Sequence, residues 1–123
     1  MLTYRYDRPM RKPPRKNVVP IPLAKIVGPM MAQVRRIAED SSKVFFSPHA
    51  LEQMAKRGIT DAEVIRALKL GEIDGVPWLE PKMGGRACKV VFRPRGSRAM
   101  GVITVVLEIE ELALKTVEWE DER

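Results

Sequence analysis

The 123-residue chain has one cysteine, Cys88, and one histidine, His49. A lone cysteine excludes an intramolecular disulfide, and without a cysteine or histidine cluster there is no ligand set for structural zinc. Glu52, Glu63 and Glu108 have no spacing that implies a shared cation, so neither a metal nor a cofactor is expected. Long apolar runs are missing too. None approaches the roughly 20 residues that cross a bilayer, and no uninterrupted apolar stretch follows the first positive charges as a secretory signal requires. These absences predict a soluble protein of the reducing cytoplasm with no membrane partner. Aromatic residues make up only 6% of the chain.

Basic charge is plentiful and unevenly spread. Lysine and arginine number 22 against 16 acids, a formal net charge of +6. Residues 1–42 carry nine basic side chains and three acids, whereas residues 104–123 carry two and seven. A basic front therefore faces an acidic tail. Such a balance favours a polyanion, RNA or another nucleic acid, because each phosphate that is neutralised releases counterions. A solvated charged surface is the alternative.

Six of the ten prolines fall within residues 1–29. At that density they remove backbone donors and bias their predecessors away from helix, which predicts an extended basic arm. Residues 30–123, in a chain that is 45% hydrophobic, are then enough for a single modest domain. Val18, Val19, Ile21, Leu23, Ile26 and Val27 are more apolar than a linker requires, so the arm is suited to lie along the domain or a second copy, and the oligomeric state stays open.

Residues 30–40 read as a helix with Met30, Val34, Ile37 and Ala38 on its apolar stripe. A short β run, residues 43–46, leads into the best-punctuated stretch of the chain. Ser47 is a capping residue, Pro48 suits the first helical position, and Gly58 can take the left-handed conformation that ends a helix. Between them Ala50, Leu51, Met54 and Ala55 form an apolar stripe, and His49, Gln53 and Arg57 recur every four residues beside it. Thr60 and Glu63 have capping-box spacing for a further helix, with Val64, Ile65, Leu68 and Leu70 inward and Gly71 as its stop. Beyond it the period changes to two. Residues 73–78 make a weak strand; residues 86–93 and 101–109 make stronger ones, and a turn at Glu110-Glu111 leads into a last strand, residues 112–119. Cys88 falls on the same strand face as Val90 and Phe92, as a packing residue would. The expected fold is α+β, β-α-α-β-β-β, with two helices packed on an antiparallel sheet of three to four strands, behind an extra helix and the arm.

The run His49-Ala50-x-x-Gln53-Met54-x-x-Arg57-Gly58-Ile59-Thr60, followed by Glu63-Val64-x-x-Ala67-Leu68-x-x-Gly71-Glu72, resembles the bacterial family known as domain of unknown function 4258. Val102-Ile103-Thr104-Val105 looks like that family's terminal strand motif, so the resemblance spans about residues 44–107. Where the family usually has arginine, this chain has Gln53. The family is similar in element order to the RelE and barnase-like toxin nucleases, which implies a RelE-like fold, metal-independent cleavage of RNA by 2′-hydroxyl attack, and a cognate antitoxin as partner.

Such a reaction needs an acid-base group, cations for the charge on phosphorus, and hydrogen-bond donors. On the resemblance, His49, Arg57 and Thr104 are the catalytic candidates. Lys89, Arg93 and Arg95, with Arg11, Lys12, Arg15 and Lys16 of the arm, are the candidates for holding nucleic acid, and Lys89, Arg93 and Thr104 are expected on one sheet face. Each has a plainer alternative: a bond from His49 to a carbonyl, an ion pair for Arg57, a solvated strand face for Lys89 and Arg93, and β-propensity for Thr104. The second expectation is therefore a catalytically silent version of the fold that binds nucleic acid or a protein.

Overall fold

The computed structural model describes residues 22–94 and 98–121. In chain order the elements are α1 (Leu23–Ala38), a single 3-10 turn (Ser41–Lys43), β1 (Val44–Phe46), α2 (Pro48–Arg57), α3 (Asp61–Leu70), β2 (Glu72–Glu80), β3 (Gly85–Phe92), β4 (Met100–Leu107) and β5 (Leu112–Trp119). The fold is α+β, with five strands in the order β1-β5-β4-β3-β2. β2 to β5 form the expected antiparallel meander. β1 corrects the expectation of a wholly antiparallel sheet: it lies parallel to β5, with Val44 opposite Leu112 and Phe46 opposite Leu114. Two helices and three strands intervene between these partners, and parallel pairing requires a long connection of that kind.

The signals around α2 are realised as read. Ser47 Oγ accepts a hydrogen bond from the Ala50 amide at 3.0 Å, Pro48 occupies the first turn, and Gly58 ends the helix at φ 67°. α3 has both bonds of the Thr60–Glu63 capping box. Its end also requires glycine. A Cβ on Gly71 would lie 2.6 Å from the Ala67 carbonyl oxygen and 2.7 Å from that of Val91.

Two elements are longer than their sequence suggests. α1 begins at Leu23 and continues through Pro29. Leu23, Ile26, Val27 and Met30 have the i, i+3, i+4, i+7 spacing of one helical face, and the carbonyl that Pro29 leaves without a donor lies in an exposed turn where water can serve it. β2 runs for nine residues despite Gly75 and Pro77, because its register shifts between Asp74 and Trp78. It is an edge strand, where a bulge and a missing donor are tolerated. β4 is shorter than expected: it stops at Leu107, and Ile109 lies 70% exposed in the turn.

The helices cover one face of the sheet. Met30, Met31, Val34 and Ile37 of α1, Ala50 and Met54 of α2, and Val64, Ala67 and Leu68 of α3 pack on Cys88, Val90, Met100, Val102, Val106, Leu112, Leu114 and Val117. Leu51 and Leu70, expected inward, are 51% and 56% exposed. The opposite face carries a small cluster of Ala87, Val105 and Ala113, against which Met83 and Leu107 pack.

Candidate functional site

α2 is fastened to the sheet by its polar side. β1 ends at Phe46, so from Lys115 onward β5 presents backbone groups that no strand answers on that side. α2 answers them: the Ser47 hydroxyl donates to the Lys115 carbonyl at 3.2 Å, and Gln53 Oε1 accepts from the Val117 amide at 3.0 Å. Gln53 is thus a surrogate strand partner. His49, one turn earlier, is exposed and has no hydrogen-bond partner among the described residues. Arg57 is half-buried and engaged with a neighbour.

Thr104 is elsewhere. It is completely buried, and its hydroxyl donates to the Val102 carbonyl at 3.3 Å. The β3–β4 register sets Thr104 opposite Cys88 and Lys89 opposite Ile103. Residues directly opposite share a sheet face and successive residues alternate, so Thr104 belongs to the helix-covered face and Lys89 to the other. This corrects the expectation of one face for Lys89, Arg93 and Thr104, which is off by one position in the pairing, and one position inverts a strand.

On the uncovered face Lys89 Nζ lies 2.8 Å from Glu120 Oε2 and 3.9 Å from Glu118 Oε2. Glu120 Oε2 is buried without an aligned hydrogen bond, so the close approach of Lys89 is an electrostatic contact rather than a directed bond. The pair rests over Gly101. A Cβ there would overlap the same Glu120 oxygen and meet Lys89 Cε at 3.0 Å. Beyond the strand ends Arg98 donates two hydrogen bonds to Asp121, at 2.6 and 3.1 Å, and its guanidinium carbon lies 4.7 Å from the centroid of Trp119, which packs against the helix-side core. The Arg98 hydrogen bonds hold the Asp121 carboxyl below its ordinary value. Arg93 is exposed beside them and also engaged. Arg11, Lys12, Arg15, Lys16 and Arg95 lie outside the described residues.

The family model for a domain of unknown function, DUF4258, matches residues 46–107. The chain belongs to that family. No curated protein and no solved structure matches the chain. The DUF4258 match takes in α2, α3, β2, β3 and β4, and stops before β5. The β5 groups to which Ser47 and Gln53 fasten α2, and the two carboxylates facing Lys89, therefore come from outside the matched span.

Sequence reasoning missed those carboxylates and the duty of Gln53. A signal for the first was present. Gly101 lies at the start of the strongest strand, where a glycine can mark a close approach of something else, and Glu118 and Glu120 alternate at the end of β5. Gln53 gave none, because only the tertiary fold brings a strand edge to it. Cys88 is wholly buried, as its strand face predicted, and desolvation pushes its thiol up to about 12. Among the described residues no group of His, Cys, Asp and Glu could hold a metal ion, and no helix is long and apolar enough to cross a membrane.

Proposed function

We propose that this chain is a nucleic-acid-binding module, a catalytically silent member of the RelE-like group in element order, in which residues 5–16 supply the phosphate contacts. The distribution of charge carries this reading. Arg5, Arg8, Arg11, Lys12, Arg15 and Lys16 face only Asp7 within residues 1–21, a net +5 of the chain's +6. The folded part is nearly neutral, and five of its cations are tied to carboxylates: Arg35 to Glu72, Arg36 to Glu110, Lys89 to Glu118 and Glu120, Arg98 to Asp121, and Lys115 to Glu80. The nuclease reading draws less support, because Thr104 is buried away from the exposed His49.

The test is fluorescence anisotropy with a single-stranded RNA of mixed sequence over a salt series. Single strands contribute about 0.7 to the salt slope per phosphate contacted, so six contacts give a slope of about −4. Replacing Arg11, Lys12, Arg15 and Lys16 by alanine in the full chain should flatten it by about 3. Absence of binding at low salt would overturn the proposal. EDTA-resistant RNA cleavage that disappears in His49→Ala would replace it with the toxin-like ribonuclease and make a cognate antitoxin the partner to seek.

A further inference from the structure

β2 is the outermost strand of the sheet, at the side opposite β1. It carries large apolar side chains that the domain leaves uncovered: Val76, Trp78 and Leu79 are 67%, 41% and 75% exposed. Trp78 and Leu79 stand on different faces. Trp78 pairs with Ala87, which belongs to the cluster on the uncovered face, whereas Leu79 pairs with Arg86, which reaches back to Gln33 of α1. Apolar surface therefore flanks both sides of one strand edge, and such surface marks a place of interaction. A recess of about 500 Å³ opens beside Leu79, walled by Pro81, Val106 and Leu107. The charges along this edge have one sign. Glu72, Asp74 and Glu80 lie on β2, and no lysine or arginine occurs between residues 72 and 81. Arg35 holds Glu72 and Lys115 holds Glu80. Asp74, and Glu108 at the recess, are exposed and form no ion pair among the described residues.

We infer that β2 takes up a further strand, an extended segment of another polypeptide in which apolar residues alternate with lysine or arginine. A strand running alongside is what places side chains on both faces of the edge at once. On one face its apolar side chains meet Leu79 and enter the recess. On the other, Asp74, Trp78 and Glu80 follow one another, because their partners Lys89, Ala87 and Gly85 alternate along β3. A cation on that face meets two carboxylates and the face of an indole. A second copy of the chain fits worse, since two β2 edges would set carboxylates against carboxylates with no cation on either strand. Pro77 and the register shift between Asp74 and Trp78 confine the new ladder to the Trp78–Glu80 end. Three residues are also the length of β1, which pairs with β5 in the same sheet.

The experiment uses the full chain and two synthetic peptides. The probe is acetyl-Lys-Val-Lys-Val-Lys-Val-amide, and the control has the same composition in blocks, acetyl-Lys-Lys-Lys-Val-Val-Val-amide. With the alternating peptide at about nine times its Kd, those amides from Trp78 to Glu80 that exchange fast in the free protein should slow about tenfold. Nuclear Overhauser contacts should join the peptide backbone to β2. Leu79→Lys, at a position exposed in the fold, should weaken binding about tenfold, and Asp74→Lys should weaken it as well. Equal slowing by the block peptide would reduce the effect to charge and overturn the proposal. So would the absence of slowing, or slowing that grows with protein concentration when no peptide is present, which would make the occupant a second copy. RNA binding does not enter this test, so its outcome stands whether or not residues 5–16 contact phosphate.

Discussion

The side-chain oxygen of Gln53 lies 3.0 Å from the backbone amide of Val117 and takes the place of a missing strand. Gln53→Leu removes the acceptor and leaves that amide without its partner, at a cost of about 1–3 kcal/mol. Gln53→Arg should be no better, because a guanidinium has no acceptor. Urea denaturation and hydrogen exchange of the Val117 amide measure both effects. Unchanged exchange at Val117 would show that the bond does not hold the edge.

Gly101 makes room for an ion pair rather than for a turn. Gly101→Ala should displace Glu120 from Lys89, and because the overlapped atoms are the ends of two flexible side chains the cost should stay within about 1 kcal/mol. Added to Glu120→Ala it should cost much less, since the overlapping oxygen is gone. A double-mutant cycle gives the coupling, and strict additivity would contradict the geometry.

Thr104→Val tests burial against chemistry. The hydroxyl has one long bond to a backbone carbonyl, so replacing it with a methyl of similar shape should change stability by less than about 1 kcal/mol. RNA binding should be unaffected. A loss of RNA cleavage or binding in a folded Thr104→Val protein would return this residue to the candidate site.

Cys88 should resist alkylation in the native state at pH 8. Its thiol is wholly buried and pushed up to about 12, so the reactive thiolate is scarce until the sheet opens. Labelling by iodoacetamide should therefore follow denaturant unfolding. Rapid labelling without denaturant would mean that β3 and β4 part in the native protein.

Asp121 gives a pH signature. Its carboxyl lies below the ordinary 3.8 because Arg98 donates to it. A carboxylate with a depressed folded value favours the folded state above the unfolded value, and the benefit is lost as pH falls through the folded one. Arg98→Gln should move the Asp121 carboxyl signal back toward 3.8 in an NMR titration. No movement would place the cause elsewhere.

What could be read from the sequence was local. Ser47, Gly58 and the Thr60–Glu63 pair act within one turn of chain, and their helices are where those residues put them. The alternation that set Cys88 and Val90 on one face is equally local. What escaped depended on distant partners: β1 finds β5 across almost the whole domain, Pro29 is carried inside α1, and Thr104 changes face relative to Lys89 with a one-position difference in register. The same holds for the residues named for chemistry: His49 and Arg57 fall on α2 as their spacing requires, whereas the burial of Thr104 on the helix-covered face is a property of the assembled sheet.

The parallel pair at the sheet edge also bears on how the chain can be made and cut. Residues 44–46 wait for residues 112–114, so on a ribosome the helical half emerges long before the strand that fastens α2. A fragment trimmed to the family span, residues 46–107, would lack α1, nearly all of β1, and β5. It would expose the inner edge of β4 and the underside of α2 together. The unit that family comparison recognises is smaller than the unit that folds.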